Sequence, residues 1–279
     1  MKLQTIVDIK PSEWKIGYED HILLLGSCFS DEIGAQMQQR NLHVTCNPFG
    51  TLYNPLSIAL AINCQLSIVN YQFHEGLWHS MAHHGSFSRP TREETEQAVN
   101  ASIDILQTAL RTASTVIITF GTSWVYEMDS FIVGNCHKLP AECFTRRRLS
   151  VEEIVAAWQP IIARYPDKHW IFTVSPIRHV KDGLHENQLS KATLLMAVEQ
   201  LSSLEGRSDR VSYFPSYEIL LDELRDYRFF ADDLVHPSSL AVQYIWERFV
   251  ETFCTPQTRN QMAIEYKHWK QNQHRPLHP

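Results

Sequence analysis

Long hydrophobic runs are missing from this sequence. No apolar stretch approaches the roughly 18 residues that a membrane-spanning helix needs. The first ten residues also lack the apolar core and the small-residue cleavage site of a secretory signal. From these absences we expect a cytoplasmic protein with no membrane partner.

A surplus of positive charge is missing as well. The net charge is −6 and no basic block occurs, so we expect no nucleic-acid partner. Hydrophobic residues make up 44% of the chain and charged residues 20%, the proportions of an ordinary globular protein. The length predicts a single α/β domain over residues 1–254, with excursions around 72–89 and 124–148 and a C-terminal helical arm over 255–279.

Paired cysteines and glycine-rich phosphate loops are also absent. Six cysteines are scattered without a Cys-x-x-Cys pair, which is typical of reduced thiols in a cytosolic protein. They are Cys28, Cys46, Cys64, Cys136, Cys143 and Cys254. No Gly-x-Gly-x-x-Gly or Gly-x-x-x-x-Gly-Lys occurs, so we expect no nucleotide cofactor. The spacing of Cys136, His137, Cys143 and His185 matches no structural zinc site, so we expect no metal.

Short apolar runs alternate with longer segments of helical period. The predicted strands, rich in branched and aromatic residues, cover residues 21–25, 42–46, 114–120, 169–174 and 210–214. The predicted helices cover residues 30–39, 55–66, 91–111, 150–164, 188–204 and 238–253. This alternation predicts an α/β fold, with a parallel sheet that has helices on both faces.

Reactive side chains stand where the first predicted strand ends. The apolar run stops at Gly26 and is followed by Ser27, Cys28 and a helical pattern. An α/β fold raises a nucleophile to the edge of its sheet by such a turn. Near the other end of the chain, Asp233 and His236 have the spacing of an orienting carboxylate and a general base. Acyl transfer or ester hydrolysis is therefore the leading interpretation.

Loops after the other predicted strands carry further polar residues. Because ligands bind beyond the carboxyl ends of parallel strands, we expect these loops to form one crevice. Arg178 and His179 follow the fourth predicted strand. They are candidates to bind a substrate carboxylate or phosphate, and a surface ion pair is the alternative interpretation.

Five motifs are spread over most of the chain. They begin at Gly26-Ser27-Cys28-Phe29-Ser30, Asn47-Pro48-Phe49-Gly50-Thr51, Phe120-Gly121-Thr122-Ser123-Trp124, Ser175-Pro176-Ile177-Arg178 and Tyr213-Phe214-Pro215-Ser216-Tyr217. These motifs resemble those of the family named for a Gly-Ser-Cys-Phe-Ala motif, which has serine in its last place here and is grouped with the SGNH or GDSL-like hydrolases. The resemblance implies a three-layer α/β/α sandwich with a parallel sheet in the flavodoxin-like strand order.

The same resemblance implies roles for individual residues. Cys28 falls where the superfamily has its nucleophilic serine, and Ser27 falls where it has aspartate, so either residue is a candidate nucleophile. A thiol near a histidine is partly ionised at neutral pH and needs less activation than a hydroxyl. His236 would be the base and Asp233 its orienting partner. Gly50 and Ser123 match the two oxyanion blocks, although Gly50 also suits a tight turn and Ser123 replaces the usual asparagine.

These matches predict an esterase or O-acyltransferase that acts on a small acyl ester, with an acetylated carbohydrate as one candidate. The alternative is a catalytically silent protein that binds a carbohydrate or another partner and keeps the fold. The intact Asp-x-x-His block favours the enzyme, whereas Ser27 and Ser123 in place of aspartate and asparagine favour the silent protein. The sequence leaves the acyl acceptor and the oligomeric state open.

Overall fold

A parallel sheet is at the centre of the structure, a computed structural model that describes residues 4–63, 70–204 and 209–273. The strands are β1 (His21–Gly26), β2 (His43–Cys46), β3 (Tyr71–His74), β4 (Leu77–Ser80), β5 (Thr115–Phe120), β6 (Trp124–Met128), β7 (Phe131–Ile132), β8 (Thr145–Arg148), β9 (His169–Val174) and β10 (Val211–Phe214). The helices are α1 (Cys28–Gln38), α2 (Pro55–Ile62), α3 (Arg92–Thr112), α4 (Val151–Arg164), α5 (Leu184–Ser202), α6 (Ser216–Glu218), α7 (Ser239–Phe253) and α8 (Pro256–Gln273).

The central sheet has five strands in the order β2-β1-β5-β9-β10, and every pair is parallel. In the order in which these five follow along the chain, this is 2-1-3-4-5, the flavodoxin-like order. The predicted strands and their parallel arrangement are therefore confirmed. The order reverses beside β1, and at such a reversal the loops leave opposite faces of the sheet and open a crevice.

Alternate side chains of the strands enter two separate cores. Leu23 and Leu25 of β1 pack in a core with Trp158 of α4, which helices α2, α3 and α5 also enter. Ile22 and Leu24 pack on the other face with Trp246 of α7, in a core that α1 shares. Helices therefore cover both faces of the sheet, as the alternation of elements predicts.

Helix boundaries follow their capping residues. Ser150 and Glu153 form a capping box at the start of α4, with each side chain bonded to the other residue's backbone N–H. Helix α1 begins at Cys28, two residues before the predicted start, because Ser27 is its N-cap. Helix α5 begins at Leu184, earlier than predicted, after Gly183 with φ 87°. Helix α2 ends at Ile62, before the predicted end at residue 66. Residues 64–66, which include Cys64, and the last six residues of the predicted C-terminal arm lie outside the described residues.

The two predicted excursions contain regular structure. The first includes the antiparallel hairpin of β3 and β4, and the second is a three-stranded antiparallel sheet in the order β7-β6-β8. They meet where the Gly134 N–H donates to the Met81 carbonyl at 2.7 Å. None of the helices within residues 4–63, 70–204 and 209–273 is long and apolar enough to cross a membrane.

Candidate active site

Three neighbouring strands, β1, β5 and β9, end at one crevice of about 660 Å³. Cys28 follows β1, Thr122 follows β5, and His179 lies in the segment after β9. These side chains line the crevice together with Asp233 and His236. The loops therefore converge as the sheet topology predicts, and residues more than 200 positions apart in sequence face one another.

The turn before Cys28 depends on Gly26. Its φ is 141°, and a Cβ atom there would lie 2.2 Å from the Thr119 carbonyl oxygen of β5. The Asn47 side chain accepts a hydrogen bond from the Gly26 N–H at 2.8 Å and donates to Asp31 at 2.7 Å. Strand β1 thus turns into α1 within two residues, and Cys28 is the first residue of the helix.

Cys28, His236 and Asp233 form a hydrogen-bonded series. The Cys28 Sγ lies 3.8 Å from His236 Nε2, and His236 Nδ1 lies 2.6 Å from Asp233 Oδ2. This is the order of nucleophile, base and orienting carboxylate that nucleophilic catalysis requires. One ring nitrogen of His236 therefore faces the Asp233 carboxylate, and the other faces the Cys28 thiol.

Asp233 is suited to fix the imidazole. Its Oδ1 accepts the backbone N–H of His236 at 3.0 Å and of Val235 at 2.9 Å. These bonds, together with the bond to the His236 ring, lower the pKa of Asp233 to about 2. The carboxylate is therefore ionised at neutral pH, and it holds the N–H of His236 on Nδ1, so that Nε2 faces the thiol as a base.

Burial, followed by the nearby Asp31 carboxylate, raises the pKa of the Cys28 thiol above its ordinary value. The backbone N–H of Cys28 and the Tyr53 hydroxyl favour the thiolate, but they do not reverse the shift. From the sequence we expect a thiol that is partly ionised at neutral pH, and the raised pKa of Cys28 opposes this expectation. A reaction at Cys28 thus needs His236 to remove the proton during the attack.

Ser27 is not among the residues that line the crevice. Its side chain is 1% exposed, and its Oγ accepts the Phe29 N–H at 3.3 Å as the N-cap of α1. Its neighbour Cys28 instead lines the crevice. Of the two candidate nucleophiles, the structure brings only Cys28 together with His236.

The two predicted oxyanion residues are engaged elsewhere. The Gly50 N–H donates to the Asn47 carbonyl at 2.8 Å, in a turn with φ 74° at the glycine. Ser123 is fully buried, and its hydroxyl donates to Ser190 Oγ at 3.1 Å, away from the crevice lining. The N–H of Cys28, first in helix α1, is the better placed donor because N–H groups of a first helical turn have no intrahelical partner.

Arg178 bonds the loop that contains Asp233 and His236. Its guanidinium donates to the Leu234 carbonyl and lies 4.4 Å from the ring centre of Phe230, and its N–H donates to the Val235 carbonyl at 3.2 Å. These contacts hold residues 234–235 beside Asp233. A role of Arg178 in binding a substrate anion stays a prediction.

His179 also lines the crevice and is uncharged at neutral pH. Burial, followed by the Lys191 ammonium, lowers the pKa of His179 to about 4. Its ring meets the Tyr53 ring edge-on at 6.3 Å. At neutral pH this imidazole can form hydrogen bonds but carries no positive charge, and a role of His179 in binding a substrate stays a prediction.

Sequence reasoning missed Tyr53 and Lys191. Tyr53 lines the crevice beside Cys28, and the only signal for it was its place in the segment that follows β2. Lys191 is 1% exposed, and its Nζ donates to the Gly121 and Ser175 carbonyls at 2.7 Å each. A single lysine in a helical segment gives no sign of such burial.

The outer wall of the crevice comes from the second excursion. Trp124 and Tyr126 of β6 and Arg146 of β8 line it. The Arg146 guanidinium lies 4.1 Å from the Trp124 ring centre and forms an ion pair with Asp182. The wall is thus joined to the segment after β9 by a charged contact.

The side chains considered as metal ligands do not gather. The His137 ring nitrogen Nε2 lies 2.9 Å from the Ser80 carbonyl, and its ring stacks on His79. Within the part of the chain that the structure describes, no three His, Cys, Asp or Glu side chains are arranged to hold a metal ion.

Comparisons with known proteins support one family. No curated protein matches the chain. A protein from Streptococcus pneumonia, provisionally described as a platelet activating factor, is 10% identical in sequence, and the match covers 83% of this chain and 84% of that one with a TM-score of 0.40. That likeness is too weak to establish an activity. The GSCFA family model matches residues 21–249, and the protein therefore belongs to the GSCFA family.

Proposed function

We propose that the protein is an acyl ester hydrolase or O-acyltransferase that works through a thioester on Cys28. The observation that carries this proposal is the series Cys28 Sγ, His236 and Asp233, with separations of 3.8 and 2.6 Å. The first separation is longer than a normal hydrogen bond, as is common in an active site without substrate.

In the proposed reaction, His236 Nε2 accepts the thiol proton as Cys28 Sγ attacks the ester carbonyl carbon. Asp233 stabilises the imidazolium that forms. The tetrahedral intermediate collapses by breaking the bond between the acyl carbon and the alcohol oxygen, and His236 returns the proton to that oxygen. Water or a second alcohol, deprotonated by His236, then attacks the thioester and restores the thiol.

The oxyanion of the intermediate requires N–H donors. The backbone N–H of Cys28, at the positive end of helix α1, is the donor that the geometry supports. The N–H of Gly50 is bonded to Asn47, so this reaction would use a different oxyanion site from the one that the SGNH resemblance implies. Membership of the SGNH superfamily remains part of this proposal.

The crevice lining supports an ester with an apolar or ring-shaped part. Trp124, Tyr126, Val133, Ile177 and Val235 present apolar surface around Cys28. Aromatic side chains suit the apolar faces of sugar rings as well as acyl chains. An acetylated carbohydrate or another small acyl ester is therefore the proposed substrate class.

The test is hydrolysis of p-nitrophenyl acetate, p-nitrophenyl butyrate and acetylated sugars. We expect Cys28→Ala and His236→Ala each to lower kcat/KM by about a thousand-fold or more, since members of such a series act as a unit. Intact mass spectrometry of the wild type during turnover should show one added acyl group, and peptide mapping should place it on the peptide that contains Cys28.

Two variants serve as controls. Ser27→Ala removes the helix cap and should keep turnover within a few-fold, with a loss of about 1 kcal/mol in the free energy of unfolding. Cys143→Ala removes an exposed thiol outside the crevice and should change nothing. Full activity in Cys28→Ala would overturn the mechanism. Binding of acetylated sugars without any turnover, unchanged in Cys28→Ala, would instead support the silent binding protein.

A further inference from the structure

Leu234 stands between the two residues of the proposed base pair, and its backbone is strained. It follows Asp233 and precedes His236 by two positions, with a φ of 56°. In this left-handed region the Cβ atom of an L-residue crowds a carbonyl oxygen, so leucine is uncommon there. Its side chain is 48% exposed, so burial offsets little of this cost. A strained, exposed leucine beside the reacting groups points to a function for its side chain.

Hydrogen bonds hold the Leu234 backbone from both sides. Its N–H donates to the Ala231 carbonyl at 2.9 Å, and its carbonyl accepts from the Arg178 guanidinium. The Ala231 N–H in turn donates to the His236 carbonyl at 2.8 Å. The loop is therefore closed on itself, and it fixes the Leu234 backbone relative to His236.

Two more exposed apolar side chains border the same part of the crevice. Val180 is 42% exposed and lines the crevice, two residues after Arg178. Tyr227 is 64% exposed, and its ring centre lies 5.6 Å from the Arg178 guanidinium carbon. We call Val180, Tyr227 and Leu234 the apolar rim. Exposed apolar side chains that cluster at a groove mark a binding site, whereas scattered ones need no explanation.

The size of the apolar rim favours part of a small molecule over a protein partner. Stable protein interfaces involve about 20–30 residues on each side, far more than the rim provides. The crevice beside it, of about 660 Å³, lies within the range of pockets that bind small molecules, roughly 300–1,000 Å³. A short acyl group would fill only a small part of this volume. The remaining space is available to the other part of an ester.

The proposed reaction indicates which part of the ester lies nearest to the apolar rim. His236 Nε2 returns a proton to the alcohol oxygen, so that oxygen must come within hydrogen-bond reach of the imidazole. The acyl carbon is instead bonded to Cys28 Sγ, on the far side of the 3.8 Å gap from His236. Leu234 and Val235 belong to the loop of His236, and Val235 lines the crevice. The alcohol part is therefore the part beside the rim.

We propose that the apolar rim binds the alcohol part of the ester, and that this alcohol bears an alkyl chain. Leu234 is then a specificity-determining residue, which contacts the chain and not the reacting atoms. This inference deepens the proposed function, on which it rests, by naming the class of alcohol that leaves in the first step.

Two series of esters separate the two parts of the substrate. One contains ethyl, butyl and hexyl acetate, and the other contains ethyl acetate, ethyl butanoate and ethyl hexanoate. We expect wild-type kcat/KM to rise about two- to fourfold for each methylene added to the alcohol, because each one leaves water for an apolar contact.

Leu234→Gly is the main variant, because glycine adopts a positive φ without strain and the loop should keep its fold. We expect it to lower kcat/KM for hexyl acetate by about tenfold and to change that for ethyl acetate by less than about twofold. Along the acyl series its values should run parallel to those of the wild type. Leu234→Met, which keeps an apolar side chain, should retain most of the wild-type preference.

Arg225→Gly is the matched control. Arg225 also has a positive φ, of 45°, and is exposed, but it is not among the residues that line the crevice. This variant makes the same change in backbone freedom and should leave both series unaltered. An alcohol series in Leu234→Gly equal to that of the wild type, or a loss confined to the acyl series, would overturn the proposal.

A binding measurement separates this inference from the esterase activity. In protein with ¹³C-labelled leucine methyl groups, the signals of Leu234 are those that disappear in Leu234→Gly. Titration with 1-hexanol should shift these signals, whereas ethanol at the same concentration should not. The absence of a shift with 1-hexanol would reject the rim as a site. A shift without turnover of any ester would uphold the rim as a site and reject the esterase alone.

Discussion

At the scale of single residues, Ser27 and Cys28 are neighbours in one turn but have different surroundings. Both follow the same strand and both are candidate nucleophiles by type. The helix that begins at Cys28 needs an N-cap, and Ser27 supplies it with a hydroxyl that is 1% exposed. Cys28, the first residue of the helix, lines the crevice opposite His236.

Ser123 gives the prediction at this scale. Because its hydroxyl bonds to Ser190 and not to the crevice, Ser123→Ala should change kcat by less than about tenfold, whereas a direct oxyanion donor is worth about a hundred-fold or more. Ser123→Asn should destabilise the fold by about 1–3 kcal/mol, since Ser123 is fully buried and the larger amide overfills its site.

Steady-state kinetics and urea unfolding of both variants check this. Ser190→Ala, which removes the partner of Ser123, is the matched control for lost packing. A hundred-fold fall in kcat for Ser123→Ala with an unchanged urea midpoint would place its hydroxyl at the oxyanion after all.

At the scale of elements, the β6-β7-β8 sheet is inserted between β5 and α4 and forms one wall of the crevice. Two neighbouring arginines of β8 form ion pairs with different segments. Arg146 pairs with Asp182 in the segment after β9, whereas Arg147 pairs with Glu127 and Glu153, at 2.8 and 2.7 Å. The first of these pairs joins the wall to the segment that contains His179.

Arg146→Ala should therefore raise KM by about three- to tenfold and change kcat by less than about twofold, because it loosens the substrate wall and leaves the reacting groups in place. Arg147→Ala removes the same charge from the same strand, and we expect it to leave KM unchanged. The measurement is kcat and KM for the best ester. Equal KM values in the two variants would show that the contact with Asp182 does not shape the crevice.

At the scale of the whole molecule, buried histidines lie where the two excursions pack together. His83 is fully buried, its Nδ1 lies 2.7 Å from Ser80 Oγ, and its ring meets Phe49 at 4.5 Å. Burial lowers the pKa of His83 and of His137 from 6.5 to about 4. Both rings are therefore neutral in the folded protein at neutral pH.

These histidines predict that stability falls in mild acid. Between pH 6.5 and about 4 the two histidines bind protons in the unfolded chain but not in the folded protein. Their contribution to the free energy of unfolding is therefore fully present above pH 6.5 and decreases as the pH falls through this window. The loss is about 1–2 kcal/mol for each ring by pH 5.

Urea unfolding at pH 8 and pH 5 measures this loss. His83→Gln should show a smaller difference between the two pH values than the wild type, whereas His268→Gln, on the exposed side of α8, should show the same difference. A difference that His83→Gln leaves unaltered would mean that other groups cause the acid sensitivity.

The sequence by itself determined the five strands of the central sheet, their parallel arrangement, most helix boundaries, and the spacing of Asp233 and His236. Each of these depends on local periodicity, on caps, or on a motif with a fixed spacing. Only the tertiary structure decided that Ser27 is a cap and that Cys28 lies opposite His236. It alone also decided that Gly50 and Ser123 bond elsewhere, that Tyr53 lies beside the thiol, and that Lys191 bonds the carbonyls after β5 and β9. The reason is that a polar group in a loop finds its partner among segments distant in sequence, and no periodicity records which segments the sheet brings together.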